Sequence, residues 1–223
     1  MGEDGVTPPR PARDTAHETY DYWRYRGRDW HFFEGMFRRI HPVPPVLDIG
    51  SGLGFFVECC QHYGVEAVGL ELSTEGTRAS AQRHVPVVRA DLSLPLPFRD
   101  DRFGTVFAHH VLEHLPLEKE RAVLREVRRV LRPGGFLFIA SPSVTHPRAR
   151  DDPDHINLFT VTALESELRT AGFSRTSFRL TLWHPFWDPD LRLGRASVLA
   201  AGFLWRVAPI DRRAGVIAAL AWK

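Results

Sequence analysis

From Val46 onward the chain alternates short apolar runs with stretches of helical periodicity. "VLDIG" (46–50) reads as a buried strand, 52–63 as a helix and "VEAVGLEL" (65–72) as a second strand. Ser73 is placed to cap a helix running to about Arg83, and "VPVVRADL" (85–92) gives a third strand. "RFGTVFAH" (102–109) is a fourth strand. A long amphipathic helix follows from about Leu117 to Leu131, with Val123, Val127 and Val130 on one side and charged residues on the other. The turn residues "RPGG" (132–135) should stop it, and "FLFIASPS" (136–143) is a fifth strand. Thr162 and Glu165 have capping-box spacing for a helix ending near Ala171 to Phe173, and 174–183 and 216–222 read as two last strands.

Strands alternating with helices predict an α/β fold: a parallel sheet covered on both faces and joined by right-handed crossovers. Ahead of it, residues 1–16 are polar and proline-rich, a loose tail. Residues 17–44 form a strongly aromatic lead segment of helical spacing, which Gly27 and Gly35 should interrupt. The remainder divides into a core at 45–141 and a portion at 142–223 that carries loops and the last two strands. All of 17–223 is expected to be one domain, since 223 residues fall below the size at which single cores usually split.

The net charge of +2 is too small for an extended basic surface, so no nucleic-acid partner is expected. No apolar run reaches the roughly 18 residues of a membrane span, and stable insertion is not expected. The only cysteines, Cys59 and Cys60, are neighbours, which excludes a disulfide framework and suits a reducing, cytoplasmic setting.

Candidate chemistry concentrates at the glycine turn, Gly50, Ser51, Gly52 and Gly54. Glycine there permits positive φ and lets backbone N–H groups meet a ligand without a Cβ in the way. A dinucleotide site would show G-x-G-x-x-G; this turn is G-x-G-x-G, preceded by Asp48, a carboxylate that repels pyrophosphate and favours a cation. Glu71 ends the second strand, where an acid can accept from ribose hydroxyls, and Asp91 ends the third, placed to accept from an adenine amine. Together these describe a nucleoside bearing a positive charge.

With those residues in view, "LDIGSGLG", "GLEL", "RADL" and "RVLRPGGFLFIASP" resemble, in order and in spacing, the motifs of the class I S-adenosylmethionine-dependent methyltransferases, over about Val46 to Ala140. The resemblance implies a Rossmann-like seven-stranded sheet of order 3-2-1-4-5-7-6 with strand 7 antiparallel and helices on both faces. It implies S-adenosylmethionine as cofactor, with Gly50, Gly52 and Gly54 along its methionine part and Asp48 orienting the turn and the ammonium. Glu71 and its neighbour Leu72 would lie at the ribose, and Asp91 with Leu92 around the adenine. The family's nucleic-acid amino-methylating members carry an Asn/Asp-Pro-Pro-aromatic signature after the fourth strand. Here "AHHV" stands in its place, which favours a small organic acceptor.

If the acceptor is a hydroxyl, a base must remove its proton, and histidine suits neutral pH. His155, in the loop after the fifth strand, is the preferred candidate, with Asp154 to orient it; His109 and His110 at the end of the fourth strand are the others, His109 also facing the cofactor. His114 is expected mainly to serve the fold. Tyr22, Trp23, Trp30 and Phe33 are candidates for an aromatic lid over the substrate, and Trp183 and Trp187 for a pocket wall. The apolar side of 191–207 could cover a long substrate, form a homodimer contact, lie on a membrane surface or simply add a core helix. No metal is expected. The reading is transfer of a methyl group to a small molecule, with a hydroxyl oxygen as acceptor, in specialised metabolite or cofactor biosynthesis. The alternatives are an N- or C-directed transfer, or a cofactor-binding homologue with a cyclising or regulatory role.

Overall fold

The computed structural model describes residues 30–146, 149–182 and 214–223. A seven-stranded sheet has the order β3-β2-β1-β4-β5-β7-β6. Its strands are β1 (Val46–Ile49), β2 (Ala67–Glu71), β3 (Val87–Arg89), β4 (Phe103–His109), β5 (Leu131–Pro142), β6 (Arg175–Leu182) and β7 (Ala214–Trp222). The first five pair in parallel, whereas β7 runs antiparallel to both β5 and β6. This is the order implied by the resemblance, and the strand order reverses on either side of β1, beside β4.

The central strands are apolar without alternation because both of their faces are covered. All four residues of β1 are buried, as are the first six of β4. One core lies under α4 (Leu117–Val130) and α5 (Val161–Thr170), where Val123, Leu124 and Val127 meet Leu137, Leu164 and Leu168. On the opposite face α1 (Trp30–Ile40) and α2 (Phe55–His62) pack Phe33, Met36 and Phe56 over Phe107 and Phe138. Phe56 stacks on Phe107 with centroids 3.7 Å apart, and Phe107 on Phe138 at 5.0 Å. A third helix, α3 (Thr74–Gln82), begins at Ser73, whose hydroxyl accepts from the N–H groups of Glu75 and Gly76.

Several boundaries differ from the sequence reading. The helix after β1 starts at Phe55, not Gly52, because Gly52 and Gly54 have φ of +55° and +77°, which a right-handed helix cannot use. Gly35 lies within α1 and does not interrupt it. The third strand is only Val87–Arg89, since Asp91 turns back to accept from the Ser93 N–H at 2.7 Å. The helix cap before α5 is Thr160, whose hydroxyl accepts from Ala163 N–H, while Glu165 accepts from Thr176 instead of closing a capping box. Phe159 before that cap and Leu164 inside the helix belong to one core cluster, as in a hydrophobic staple. α4 ends at Val130; Leu131 already pairs with Phe103, and the register shift before Phe136 absorbs the "RPGG" turn.

Candidate active site

The site is assembled at the carboxyl ends of β1, β2 and β4. Gly50, the first residue past β1, has φ +66°, and a Cβ there would lie 2.6 Å from Val111 Cγ2. Ser51 N–H donates to Leu70 O and so ties the turn to β2. Ser51 Oγ is buried and has no hydrogen-bond partner.

Glu71 closes β2 and reaches across to the turn. Its Oε2 accepts from Gly52 N–H and its Oε1 from Ser73 N–H, each at 2.7 Å. One carboxylate thus holds the glycine turn and the start of α3 together. Two oxygens offer about four acceptor sites, so lone pairs remain for a ligand's hydroxyls. Asp48 is 3% exposed. Burial, and then the charge of Glu71, push its carboxyl well above the usual range. A buried acid in this position is suited to a cationic neighbour, whose approach would favour its ionised form. Leu72 is half-buried and Leu92 packs against the core, whereas Asp91 is exposed.

A second group of side chains gathers where β4 ends. The His109 ring is stacked parallel to Phe107, 6.1 Å away, and meets Phe32, Phe33 and His110 edge-on at 5.5, 5.7 and 4.5 Å. His110 has φ +57° and donates its N–H to Ala140 O at 2.8 Å, which fixes this strained residue to the end of β5. Its Nδ1 lies 2.7 Å from Oε1 of the fully buried Glu113. Burial pushes the Glu113 carboxyl up and the His114 imidazole down.

The loop after β5 joins the same group. Ile156 and Asn157 both donate their N–H groups to Glu113 O, at 2.8 and 3.0 Å. This docks His155 beside His114, with ring centroids 5.0 Å apart. His155 Nδ1 contacts Ala149 O at 2.6 Å, and its Nε2 lies 3.9 Å from Asp152. The neighbour that orients His155 is therefore not Asp154, whose backbone carbonyl meets His114 Nδ1 instead.

The candidate residues of the sequence thus fall into three sets. Asp48, Gly50, Ser51, Gly52, Gly54, Glu71 and Leu72 surround one turn, and His109, His110 and His155 converge on one end of β4. Phe33 packs on the Phe56–Phe107 stack as well as on His109, and Trp30 meets His31 and His62. Tyr22, Trp23, Trp183, Trp187 and most of the 184–215 segment lie outside the described residues. Glu113 was missed, although an acid with histidines three before and one after it could have marked it. Cys59 and Cys60 are buried in the core, and burial pushes the Cys59 thiol up to about 11, in keeping with packing residues.

The sheet order is that of the class I S-adenosylmethionine-dependent methyltransferases, and the chain carries a methyltransferase domain. Residues 47–139 match the family described as a methyltransferase domain. A demethylmenaquinone methyltransferase of Corynebacterium urealyticum is 38% identical over 120 residues, covering 53% of this chain and 47% of that protein. One of the same name from Mycobacterium tuberculosis is 36% identical over 101 residues, 45% of this chain and 42% of that protein. The matches span under half the length of these relatives. Among solved structures, an S-adenosylmethionine-dependent methyltransferase from Archaeoglobus fulgidus superposes with TM-score 0.69 at 22% identity, over 91% of this chain and all of that one. A phosphoethanolamine N-methyltransferase from Haemonchus contortus, in complex with S-adenosyl-L-methionine, gives 0.64 at 18% identity, over 87% of this chain and 52% of that one.

Proposed function

We propose that this chain transfers a methyl group from S-adenosylmethionine to a small organic acceptor bearing a hydroxylated, quinol-like ring. The observation that carries the reading is the Glu71 carboxylate, which is fixed by two backbone N–H groups and still has acceptor capacity beside Asp48 and the glycine turn. When bound, the cofactor supplies an activated methyl group on a sulfonium that leaves as a neutral thioether.

The chain's own task is to orient. Glu71 would hold the ribose, with Leu72 beside it, and Asp91 and Leu92 would flank the adenine. Gly50, Ser51, Gly52 and Gly54 would line the methionine part, with Asp48 answering its ammonium. Orientation of this kind can contribute on the order of 7–11 kcal/mol to a displacement. His109 stands beside Phe32 and Phe33 at the end of β4, and we assign it the contact with the acceptor ring, with His110 and His155 as the polar groups beyond it.

The quinol-like ring is favoured by the name shared by the two relatives described above. That name also supports a second reading, in which the methyl group goes to a ring carbon. Loss of a ring hydroxyl's proton spreads charge over oxygen and the adjacent ring carbons, so both readings need the same deprotonation.

The test is calorimetric titration with S-adenosylmethionine and S-adenosylhomocysteine, followed by labelled-methyl transfer to a panel of hydroxylated aromatic acceptors and quinols. Glu71→Gln should lose at least tenfold in cofactor affinity, about 1.4 kcal/mol, because the carboxylate's hydrogen bonds are charge-assisted. Tight cofactor binding that Glu71→Gln leaves unchanged would reject the assignment of Glu71. Nuclear magnetic resonance of the product separates an O-methyl from a C-methyl group.

A further inference from the structure

We propose that Glu113, His114 and His155 form a binding site for a divalent transition-metal ion of the zinc class. One ligand atom from each can be chosen so that all lie within 4.8 Å of one another. The three come from two separate segments, the short 3-10 turn Leu112–His114 after β4 and the loop after β5.

The imidazoles are oriented as metal ligands commonly are. A carbonyl oxygen can only accept, so Asp154 O at 3.1 Å from His114 Nδ1 and Ala149 O at 2.6 Å from His155 Nδ1 place the ring proton on Nδ1 in both. Nε2 is then the nitrogen each ring would offer to a metal ion. A histidine that donates its second nitrogen to a backbone carbonyl is the usual outer-shell arrangement of a metal ligand, and it fixes both tautomer and ring direction.

Glu113 is the independent observation. Its side chain is 0% exposed, and its carboxyl group faces His110 Nδ1, 2.7 Å from Oε1, and the neighbouring Ser141. Withdrawing a charged carboxyl group from water costs several kcal/mol, which His110 offsets on one side and a metal ion would offset on the other. Asp152 adds a second acid. Its Oδ1 is engaged by Asp154 N–H, and its Oδ2 stands 3.9 Å from His155 Nε2. Ser141 Oγ, also buried, adjoins Glu113.

The donor set selects the ion. Two imidazoles and one carboxylate suit zinc and its neighbours, whereas magnesium and calcium prefer oxygen throughout. Bonds of about 2.0–2.2 Å put tetrahedral donors roughly 3.4 Å apart, so donors at the 4.8 Å limit must close by about 1.4 Å. That is within reach of a side-chain adjustment in the loop that the Ile156 and Asn157 N–H groups dock on Glu113. Three protein ligands leave a position for water or for an acceptor oxygen, which the ion would polarise. That use rests on the hydroxylated acceptor proposed above; the site itself does not.

The test uses the full chain stripped with a chelator, dialysed and reloaded with zinc or cobalt(II) alone. One equivalent of zinc should survive gel filtration, and cobalt(II) should give the visible absorption of a four- or five-coordinate site. Both should be lost in Glu113→Gln and His155→Gln while S-adenosylhomocysteine binding by calorimetry persists, which shows that the variants fold. His155→Cys should retain cobalt(II) and add a near-ultraviolet thiolate-to-metal band, a gain that a misfolded protein cannot give. The inference is overturned if the wild-type chain retains no metal, if retention is unchanged in Glu113→Gln and His155→Gln, or if His155→Cys shows no such band. None of these outcomes depends on methyl transfer, so failure here and failure of the proposed activity are separable.

Discussion

Gly50→Ala tests how tightly the cofactor turn is built. The position has φ +66°, and the new methyl would lie 2.6 Å from Val111 Cγ2, on a side chain that is 8% exposed. Left-handed backbone costs a residue with a Cβ about 1–2 kcal/mol, and forcing a methyl into filled space costs about 1–3 kcal/mol more. Gly64→Ala is the control, because its φ is +69° and nothing lies within 4 Å of a Cβ there. The two variants share the backbone term and differ in the steric one. Thermal unfolding should therefore place Gly50→Ala below Gly64→Ala by about 2–12 °C, at roughly 2–4 °C per kcal/mol for a domain of this size. A double-mutant cycle with Val111→Ala isolates the contact, since removing Cγ2 should relieve the clash and make the double variant more stable than the sum predicts. Additivity within about 0.3–0.5 kcal/mol would refute the reasoning.

Two further predictions concern the frame around the site. Glu120 is fully buried beneath α5, and burial raises its carboxyl from an ordinary 4.5 to about 7, so the folded state binds a proton that the unfolded state releases between those values. Its contribution to stability is present in full below about pH 4.5 and lost as pH rises through about 7; thermal unfolding of Glu120→Gln across that window should show a flatter profile than the wild type, and an unchanged slope would refute it. Arg129 binds Glu126 through two nitrogens at 2.8 Å each and also reaches Asp100 and the carbonyls of Leu96 and Phe98, pinning the loop before β4 to α4. Arg129→Ala should cost about 1–3 kcal/mol in urea unfolding, and a loss below about 0.5 kcal/mol would show that these exposed-edge bonds are replaced by water.

The sheet was legible because each central strand is a continuous apolar run, and because Ser73 and the amphipathic pattern of α4 mark their elements locally. Two of the misplacements share a cause. A local rule was satisfied by the letters, but a tertiary demand decided the boundary. Thr162 and Glu165 have the spacing of a capping box, yet Phe159 and Leu164 pack together and draw the start of α5 back to Thr160. Gly35 is a weak helix residue, but its neighbours Phe33 and Met36 are held on the sheet and carry the helix through it. The glycine turn was legible as a ligand turn, but not as the reason that α2 begins late.

The polar end of β4 shows what a linear pattern cannot supply. His155 was found by its loop and His109 by its strand end, but Glu113, which meets both segments, sits between His110, read as a candidate base, and His114, read as serving the fold. Its backbone carbonyl takes two N–H groups from the far loop, and its side chain is buried against His110, so one residue fixes both the position of the loop and the charge balance of the cluster. The segment after β4 and the loop after β5 are thus joined through the backbone carbonyl of one residue whose carboxyl group is buried. That coupling argues against assigning His155 a solitary role: whatever His155 does to an acceptor, it does while held in register with Glu113 and His114, and with His109 one contact further along through His110.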